Sequence, residues 1–434
     1  MVNRKCIAGW VTLALCGFAR AEDLSTIFQE ALVHNAQYRS AEAQYAAVQE
    51  RVPESVSALL PAVSVSANTT WNDNNSNTLN HQLYNSNGYT VTLTQPLWRS
   101  QNTVALQEAR SMVDQARAQL DVARQELIIR TAQAYFDVLY AQDALNTLKE
   151  QRAANLEQLE QATRSFDIGA ASITDVRDAK AHYDLLTAQE ISAGNDVAWK
   201  TQALRQIINQ DPGPLAPLPV SVVLRSPIPD TLGPWEAAAQ STNAAVMAAE
   251  AAVEAARLEA KRARAGHLPT VDLIATHGLT NSATNITVGT NLHADTVGIQ
   301  FSMPIYSGGG TLAKVRENVA LMDKANADLE DARRTGVLSA QQAFLGTTSG
   351  LAQVKALKEA VASAQIALES NKRGVAVGAR INIDVLNAQQ ALAVAERDLA
   401  KTRYETLMSL LKLKAAAGTL GATDIDEVNA LLAK

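Results

Sequence analysis

Beyond residue 16 the chain has no cysteine, since Cys6 and Cys16 are the only two among its 434 residues. Disulfides and cysteine-based zinc sites are therefore excluded from everything downstream. No run of about 18 uninterrupted apolar residues follows the N-terminal segment, so no transmembrane helix is expected and any membrane span must use another architecture. A basic excess is also missing: 38 Lys and Arg stand against 44 Asp and Glu, which argues against a nucleic-acid partner. The six histidines, His34, His81, His182, His267, His277 and His293, show no metal-ligand spacing and read as surface or loop residues. Gly308-Gly309-Gly310-Thr311 lacks the Lys-Ser/Thr of a phosphate loop and reads as a tight turn. No Ser/His/Asp arrangement can be placed, so neither enzyme activity nor a cofactor is expected. Proline is absent from two long stretches, for none of the twelve falls between Pro96 and Pro212 or after Pro304.

Those stretches are where the chain shows its plan. From Ser100 to Arg164 neither proline nor glycine occurs, and Ala, Gln, Glu, Leu and Arg dominate, all strong helix formers. One helix of that length would reach roughly 100 Å, far beyond an ordinary domain, so it must pack lengthwise on other helices. Val113, Leu120, Leu127, Ala134, Ala141 and Leu148 recur at heptad spacing, as in a supercoiled seam. Thr311 to Arg373 is a second such rod, with Val337, Phe344, Leu351 and then Val354, Val361, Leu368. The halves superpose at an offset near 208: Asn35-Ala36 falls on Asn243-Ala244, Leu60-Pro61 on Leu268-Pro269, and Thr94-Gln95-Pro96-Leu97 on Ser302-Met303-Pro304-Ile305. One residue out of step, Ile168-Gly169-Ala170 falls on Val377-Gly378-Ala379. Ordered matches at near-constant offset indicate an internal duplication.

Residues 1–21 read as a secretory signal, with Arg4-Lys5, an apolar run from Cys6 to Phe18, and Ala19-Arg20-Ala21 as cleavage site. Lipidation of Cys16 is the rival reading, disfavoured by the bulky Leu15 before it. After cleavage the chain would carry 35 basic against 44 acidic residues and no thiol.

The expected layout is a first repeat over 22–210, a Pro-rich linker over 211–234, a second repeat over 235–417 and a short amphipathic tail over 418–434. Each repeat opens with a helix, Glu22 to Val52 and Trp235 to Ala265, with Asp23 or Ser25 placed to cap the first. A strand hairpin follows, at 62–96 and 270–304. Val63, Val65, Ala67, Thr69 and Trp71 alternate with Ser64, Ser66, Asn68, Thr70 and Asn72, which predicts a strand with one apolar face. Asp73 to Gly88 and Asn281 to Asp295 are polar and read as loops. A long helix comes next (98–164, 311–373), then a Gly-containing turn and a return helix (172–209, 382–417). An apolar outer row, a small polar inner row and terminal aromatics suit a tilted strand crossing a bilayer around a wet lumen. Four strands cannot close a barrel, and open edges in lipid are costly, so several subunits must share one. The fold class expected is mainly α with a membrane β-barrel, built from long helical hairpins and four strands per protomer.

The paired turns Phe166 to Ala179 and Val375 to Ala388, the runs Gly266-His267-Leu268-Pro269-Thr270 and Ser302-Met303-Pro304-Ile305-Tyr306-Ser307-Gly308-Gly309, and Ala417-Gly418-Thr419-Leu420 resemble the TolC family of outer-membrane exit ducts. That resemblance spans essentially the whole chain after the leader. It implies a homotrimer with a twelve-stranded barrel in outer-membrane lipid, a helical barrel crossing the periplasm, and an equatorial belt from linker and tail. It further implies a periplasmic adaptor and an inner-membrane ABC or proton-driven transporter as partners, and export of proteins or small toxic compounds through a passive duct. In that family the turns close the periplasmic entrance: Thr174, Asp175 and Arg380 match the latch, while Val375 stands where the family has a tyrosine. Asp384 matches one pore-constricting Asp ring and Asn387 replaces the other. For Ser172 with Asp175 a plain capping box is the competing reading. A periplasmic coiled-coil scaffold or adaptor without a pore is the alternative for the whole chain; it would explain the rods but leave the lipid-suited strands unexplained.

Overall fold

The computed structural model describes residues 21–76, 79–169, 171–219, 221–282 and 290–432. The leader reading and both cysteines lie outside the described residues. In chain order the elements are α1 (Leu24–His34), α2 (Ala36–Gln49), α3 (Arg51–Ser57), β1 (Ala62–Ser76), β2 (Leu79–Arg99), α4 (Ser100–Asp167), α5 (Ile173–Ile208), α6 (Leu232–Ser241), α7 (Ala244–Arg264), β3 (Thr270–Ser282), β4 (Thr290–Ser302), α8 (Gly310–Ala376), α9 (Asn382–Ala416) and α10 (Ala422–Asn429).

The helix expected from Glu22 to Val52 is three helices, and its mate from Trp235 is two. Asn35 causes the first break: its extended backbone starts a new helix and its side chain accepts a hydrogen bond from Tyr38 N. Asn243 does the same for α7, accepting from Ala245 N and Val246 N. The duplicated Asn-Ala pair is thus a duplicated N-cap, which satisfies backbone donors that a helix start leaves unpaired. Pro53 and Pro234 each occupy the first turn of a helix, where a missing N–H costs nothing. Asp23 caps α1, with Thr26 N donating to it at 2.8 Å.

The rods are single helices of 68 and 67 residues, each about 100 Å long. Return helices α5 and α9 lie against them as helical hairpins, while α2 and α3 cover the other part of α4 and α7 lies against both α4 and α8, joining the two repeats. Every seam residue expected on α4 is buried or half-buried. On α8 the first expected row is displaced by one residue, from Val337, Phe344 and Leu351 onto Gly336, Ala343 and Gly350, whereas Val354 and Leu368 of the second row are buried as expected. Its small residues bring helices together closely: a Cβ on Gly350 would stand 2.4 Å from Thr406 Oγ1 of α9. Apolar bulk was the sequence cue, and here close packing used its absence.

One extended core interrupts the rods at mid-length. Leu127, Ile128, Tyr135, Phe136 and Leu139 of α4 meet Leu24, Ile27 and Phe28 of α1, Leu204 and Ile208 of α5, Leu407 and Leu411 of α9, and Ile425 and Val428 of α10. Linker residues Leu215, Ala216 and Leu218 complete it, so linker and tail do gather around the waist of the chain. Tyr135 donates its hydroxyl to Ala216 O at 2.9 Å, pairing the one polar atom its ring carries inward. Each large side chain buried there contributes about 1.5–3 kcal/mol, which makes this belt the main store of stability.

All four strands form one antiparallel sheet in the order β1-β2-β3-β4. The strands run longer than expected. Asp73 to Ser76 and Leu79 to Gly88 belong to β1 and β2 rather than to a loop, as do Asn281 and Ser282 to β3 and Thr290 to Asp295 to β4. Asn and Ser sustain that ladder through cross-strand bonds, such as Asn72 Nδ2 to Ser86 Oγ at 2.8 Å and Asn85 Nδ2 to Thr69 Oγ1 at 2.8 Å. His81, His277 and His293 accordingly lie in strands, where they are surface residues as expected. Nor does β2 stop at Pro96; it continues to Arg99 past an irregularity between Pro96 and Trp98.

Candidate membrane sheet and entrance turns

Registration across the sheet sorts its residues into two faces. One face carries the row Val63, Leu93, Ala275, Val297, and the other carries Ser64, Thr92, Thr276, Thr296. Thr276 and Thr296 hydroxyls stand 2.5 Å apart on the polar face. On the apolar face Val65, Val297, Ile299 and Phe301 are 64–78% exposed, so nothing among the described residues covers them. Water is not a tolerable neighbour for so continuous an apolar row. Both edges are open as well, because β1 and β4 have no outer partner among the described residues. Farther along the same face the row that begins with Val65 and Val91 ends in His277 and Asp295, with His277 Nδ1 2.5 Å from Asp295 Oδ1 and the Tyr89 ring 6.1 Å from the His277 ring. Among the described residues no helix is long and apolar enough to cross a membrane, so a span through lipid falls to the sheet.

At the foot of the sheet Arg99 donates from Nε and Nη2 to the two carboxylate oxygens of Asp272, both at 2.7 Å. This fork joins the first repeat to the second where strand passes into rod. Below it, Glu108 of α4 is almost wholly buried against α7, with Arg262 Nε 3.0 Å from its carboxylate and Arg262 also holding Glu259. Loss of hydration pushes the Glu108 carboxyl up to about 7; its hydrogen bond with Glu259 adds to that, and Arg262 opposes it. Neither contact was read from the sequence. Asp272 stood out only as a polar residue in the inner row, and Glu108 gave no signal, because its partners lie in the other repeat.

At the far end the two turns share a backbone solution. Gly169 and Gly378 adopt φ of +74° and +75°, and Ala171 N and Arg380 N donate back to Ser165 O and Gly374 O. Only glycine takes that left-handed conformation without strain, which explains the duplicated glycine. The return helices start differently. Ser172 and Asp175 form a full capping box on α5, with Asp175 Oδ2 accepting from Ser172 N at 3.1 Å and Thr174 N donating to Ser172 Oγ at 3.2 Å. On α9 the matching N-cap is Ile381, which offers no side-chain bond. Asp384, the repeat mate of Asp175, is instead 3.7 Å from Arg380 Nη1. Thr174, Arg380 and Asn387 are exposed, and Val375 sits half-buried in the last turn of α8. Within the chain the capping reading of Asp175 therefore holds, and no ion pair joins Arg380 to Asp175.

An uncovered apolar sheet with two open edges, carried on helical hairpins far too long for a globule, defines a membrane channel protomer of the rod-and-strand class. Comparison with known proteins agrees. Residues 27–210 and 236–419 match the family described as Outer membrane efflux protein, the same two blocks as the internal repeats. The chain is 33% identical to Outer membrane protein TolC of Escherichia coli over 99% of its own length and 90% of that protein. It is 30% identical to Alkaline protease secretion protein AprF of Pseudomonas aeruginosa, covering 92% of this chain and 85% of that one. Its fold superposes on the CmeC outer membrane channel of Campylobacter jejuni with a TM-score of 0.81, over 95% of this chain and 90% of that one, at 18% identity. The chain belongs to the outer membrane efflux protein family. It is an outer-membrane channel protein whose helical part extends into the periplasm.

Proposed function

We propose that three copies join their sheets edge to edge into one barrel of about twelve strands, which the helical hairpins prolong as a hollow stalk. Each β1 edge pairs with a neighbour's β4, so no backbone group is left unpaired in lipid. The assembly acts as a passive exit duct of a tripartite system, for secreted proteins or small toxic compounds. Relatives with those roles in their names, a protease secretion protein and efflux channels, support this range. A periplasmic adaptor and an inner-membrane ABC or proton-driven transporter supply cargo and energy.

The entrance closes at the turns. Arg380 turns from its neighbour Asp384 toward Asp175 of an adjacent hairpin, and Thr174 adds a second polar contact. Val375 offers no hydroxyl for a further bond, so Arg380 carries more of the closure. Threefold symmetry brings three Asp384 carboxylates to one constriction, a focused negative field that favours cations, and Asn387 leaves the adjacent ring neutral. Asp384 is suited to this because, unlike Asp175, it is not engaged in a cap. Exposed pairs of this kind are worth little singly, so an adaptor need supply only a few kcal/mol to open them.

The uncovered apolar row between two free edges carries the reading. Its test is reconstitution of the full-length protein in planar lipid bilayers. Discrete, cation-selective conductance steps are expected. A monomer that stays in solution without detergent and never conducts would refute it.

A further inference from the structure

At the waist α4 turns opposite faces to different surroundings. Leu127, Ile128, Tyr135 and Leu139 enter the core shared with α1, α10 and the linker. Ile129, Arg130, Gln133 and Asp137 leave the other side of the helix, where they wall a cavity of 640 Å³ together with residues of α2 and α5 and with Lys412 of α9. A second cavity, of 730 Å³, shares Arg130 and Lys412 with it. Three cations, Arg130, Lys200 and Lys412, line the smaller cavity against one carboxylate, Asp137. Lys200 lies 2.9 Å from that carboxylate and Gln133 also donates to it, which leaves two cations over. Arg130 is half-buried, its Nε is buried and unbonded, and its guanidinium donates to the neutral side chain of Gln37. Lys412 has neither hydrogen bond nor ion pair among the described residues. Acids are not scarce in this chain, with 44 Asp and Glu against 38 Lys and Arg, so two surplus cations in one hollow stand out. A guanidinium partly withdrawn from water without a counter-ion is costly, and an incoming anion offsets that cost.

We propose that this waist cavity binds an aromatic organic dianion, of the aryl disulfonate or dicarboxylate class. Arg130 and Lys412 hold its charged groups, and its rings lie against Ile129, Ile207 and the indole of Trp199, which is 72% exposed. Glu126 lines the larger cavity and not the smaller, so it keeps the anion on the smaller side. The volume lies within the usual range of small-molecule pockets, and the surplus of two positive charges matches a dianion. The core with α1, α10 and the linker backs the site. On the duct reading, with that belt outermost, the site therefore opens to the bore and recurs in each of the three copies. The duct then holds two stations of opposite sign, Asp384 at the entrance and this one at the waist, where the field favours anions.

The test uses the detergent-solubilised full-length protein and naphthalene-1,5-disulfonate as the probe. Calorimetric titration and equilibrium dialysis should show saturable binding that weakens as salt is raised. Arg130→Gln and Lys412→Gln should each weaken it about tenfold or more. Lys401→Gln removes the same charge from a residue that pairs with Glu405 at 3.8 Å and does not line this cavity, so it should leave binding unchanged. Lys412 is exposed, so its variant should melt like wild type even if Arg130→Gln does not. Absence of binding, or equal weakening by Lys401→Gln and Lys412→Gln, overturns the site. Inorganic sulfate that competes as well as the disulfonate overturns the aromatic class of the ligand. In planar bilayers the disulfonate should reduce the conductance of the wild type and leave Lys412→Gln unblocked. A conducting protein that binds the probe without any block overturns the placement on the bore. A protein that binds it but never conducts leaves the site standing and sinks the duct reading instead.

Discussion

Replacing Glu108 by Gln should make the protein more stable at neutral pH and less sensitive to pH. Its carboxylate is 8% exposed, packed between α4 and α7, hydrogen-bonded to Glu259 and shared with it around one guanidinium, Arg262; Arg51 of α3 faces the same group. Two carboxylates and one arginine out of water favour a state in which one proton stays on the pair. The folded carboxyl is raised from 4.5 to about 7, mainly by lost hydration. Because the folded value lies above the unfolded one, the associated stability is fully present below about pH 4.5 and is lost as pH rises through about 7. A displacement of that size corresponds to about 3 kcal/mol per chain. The substituted amide would be neutral throughout and would donate to Glu259 as the protonated acid does. The assay is thermal unfolding of the detergent-solubilised protein by circular dichroism between pH 5 and 8. Wild type should lose stability across that range, and Glu108→Gln should stay level, overtaking wild type by about 1–3 kcal/mol at the upper end. Parallel curves, or a variant weaker than wild type at pH 8, would show that the pair is not held together by a proton.

Three further outcomes are expected. Arg380→Ser should raise single-channel conductance and shorten closures in planar bilayers; an unchanged trace would remove Arg380 from the entrance latch. Val297→Lys places a charge on the uncovered apolar row and should cost about 2–4 kcal/mol in the bilayer, whereas Thr296→Lys, on the opposite face, should assemble normally. Equal recovery of both from outer-membrane fractions would mean that the faces are assigned the wrong way round. Asn243→Ala should cost about 1 kcal/mol by chemical denaturation, through loss of the α7 cap and of the bond from Asn243 Nδ2 to Ala416 O. A change below a few tenths would deny the cap its role.

The two repeats have kept their geometry and exchanged some of their chemistry. Gly169 and Gly378 make the same turn, and Asn35 and Asn243 the same cap. At the return helices Ser172 gives way to Ile381, so the aspartate three residues on is engaged in a capping box in one repeat and in none in the other. A duplicated motif thus became two different carboxylates, Asp175 held in a cap and Asp384 set beside Arg380.

By itself the sequence determined whatever depends on local periodicity: the two proline-free rods, the alternating strands, the turn glycines and the duplication that relates them. Each is a preference of the backbone or a repeat of polarity, and both survive in a string of residues. It misjudged strand length, because the Asn- and Ser-rich stretches carry no apolar alternation and are held in the ladder by cross-strand bonds that a single strand cannot reveal. It also placed the first part of the α8 seam, Val337, Phe344 and Leu351, one residue off, because glycine and alanine make no apolar signal until a second helix lies against them. Only the tertiary structure could decide the rest: that Arg99 meets Asp272, that Glu108 shares Arg262 with Glu259, and that Asp175 is occupied by a cap while Asp384 is not. The cross-repeat pairs join residues more than 150 positions apart, and their energies depend on how far water is excluded where the two repeats meet.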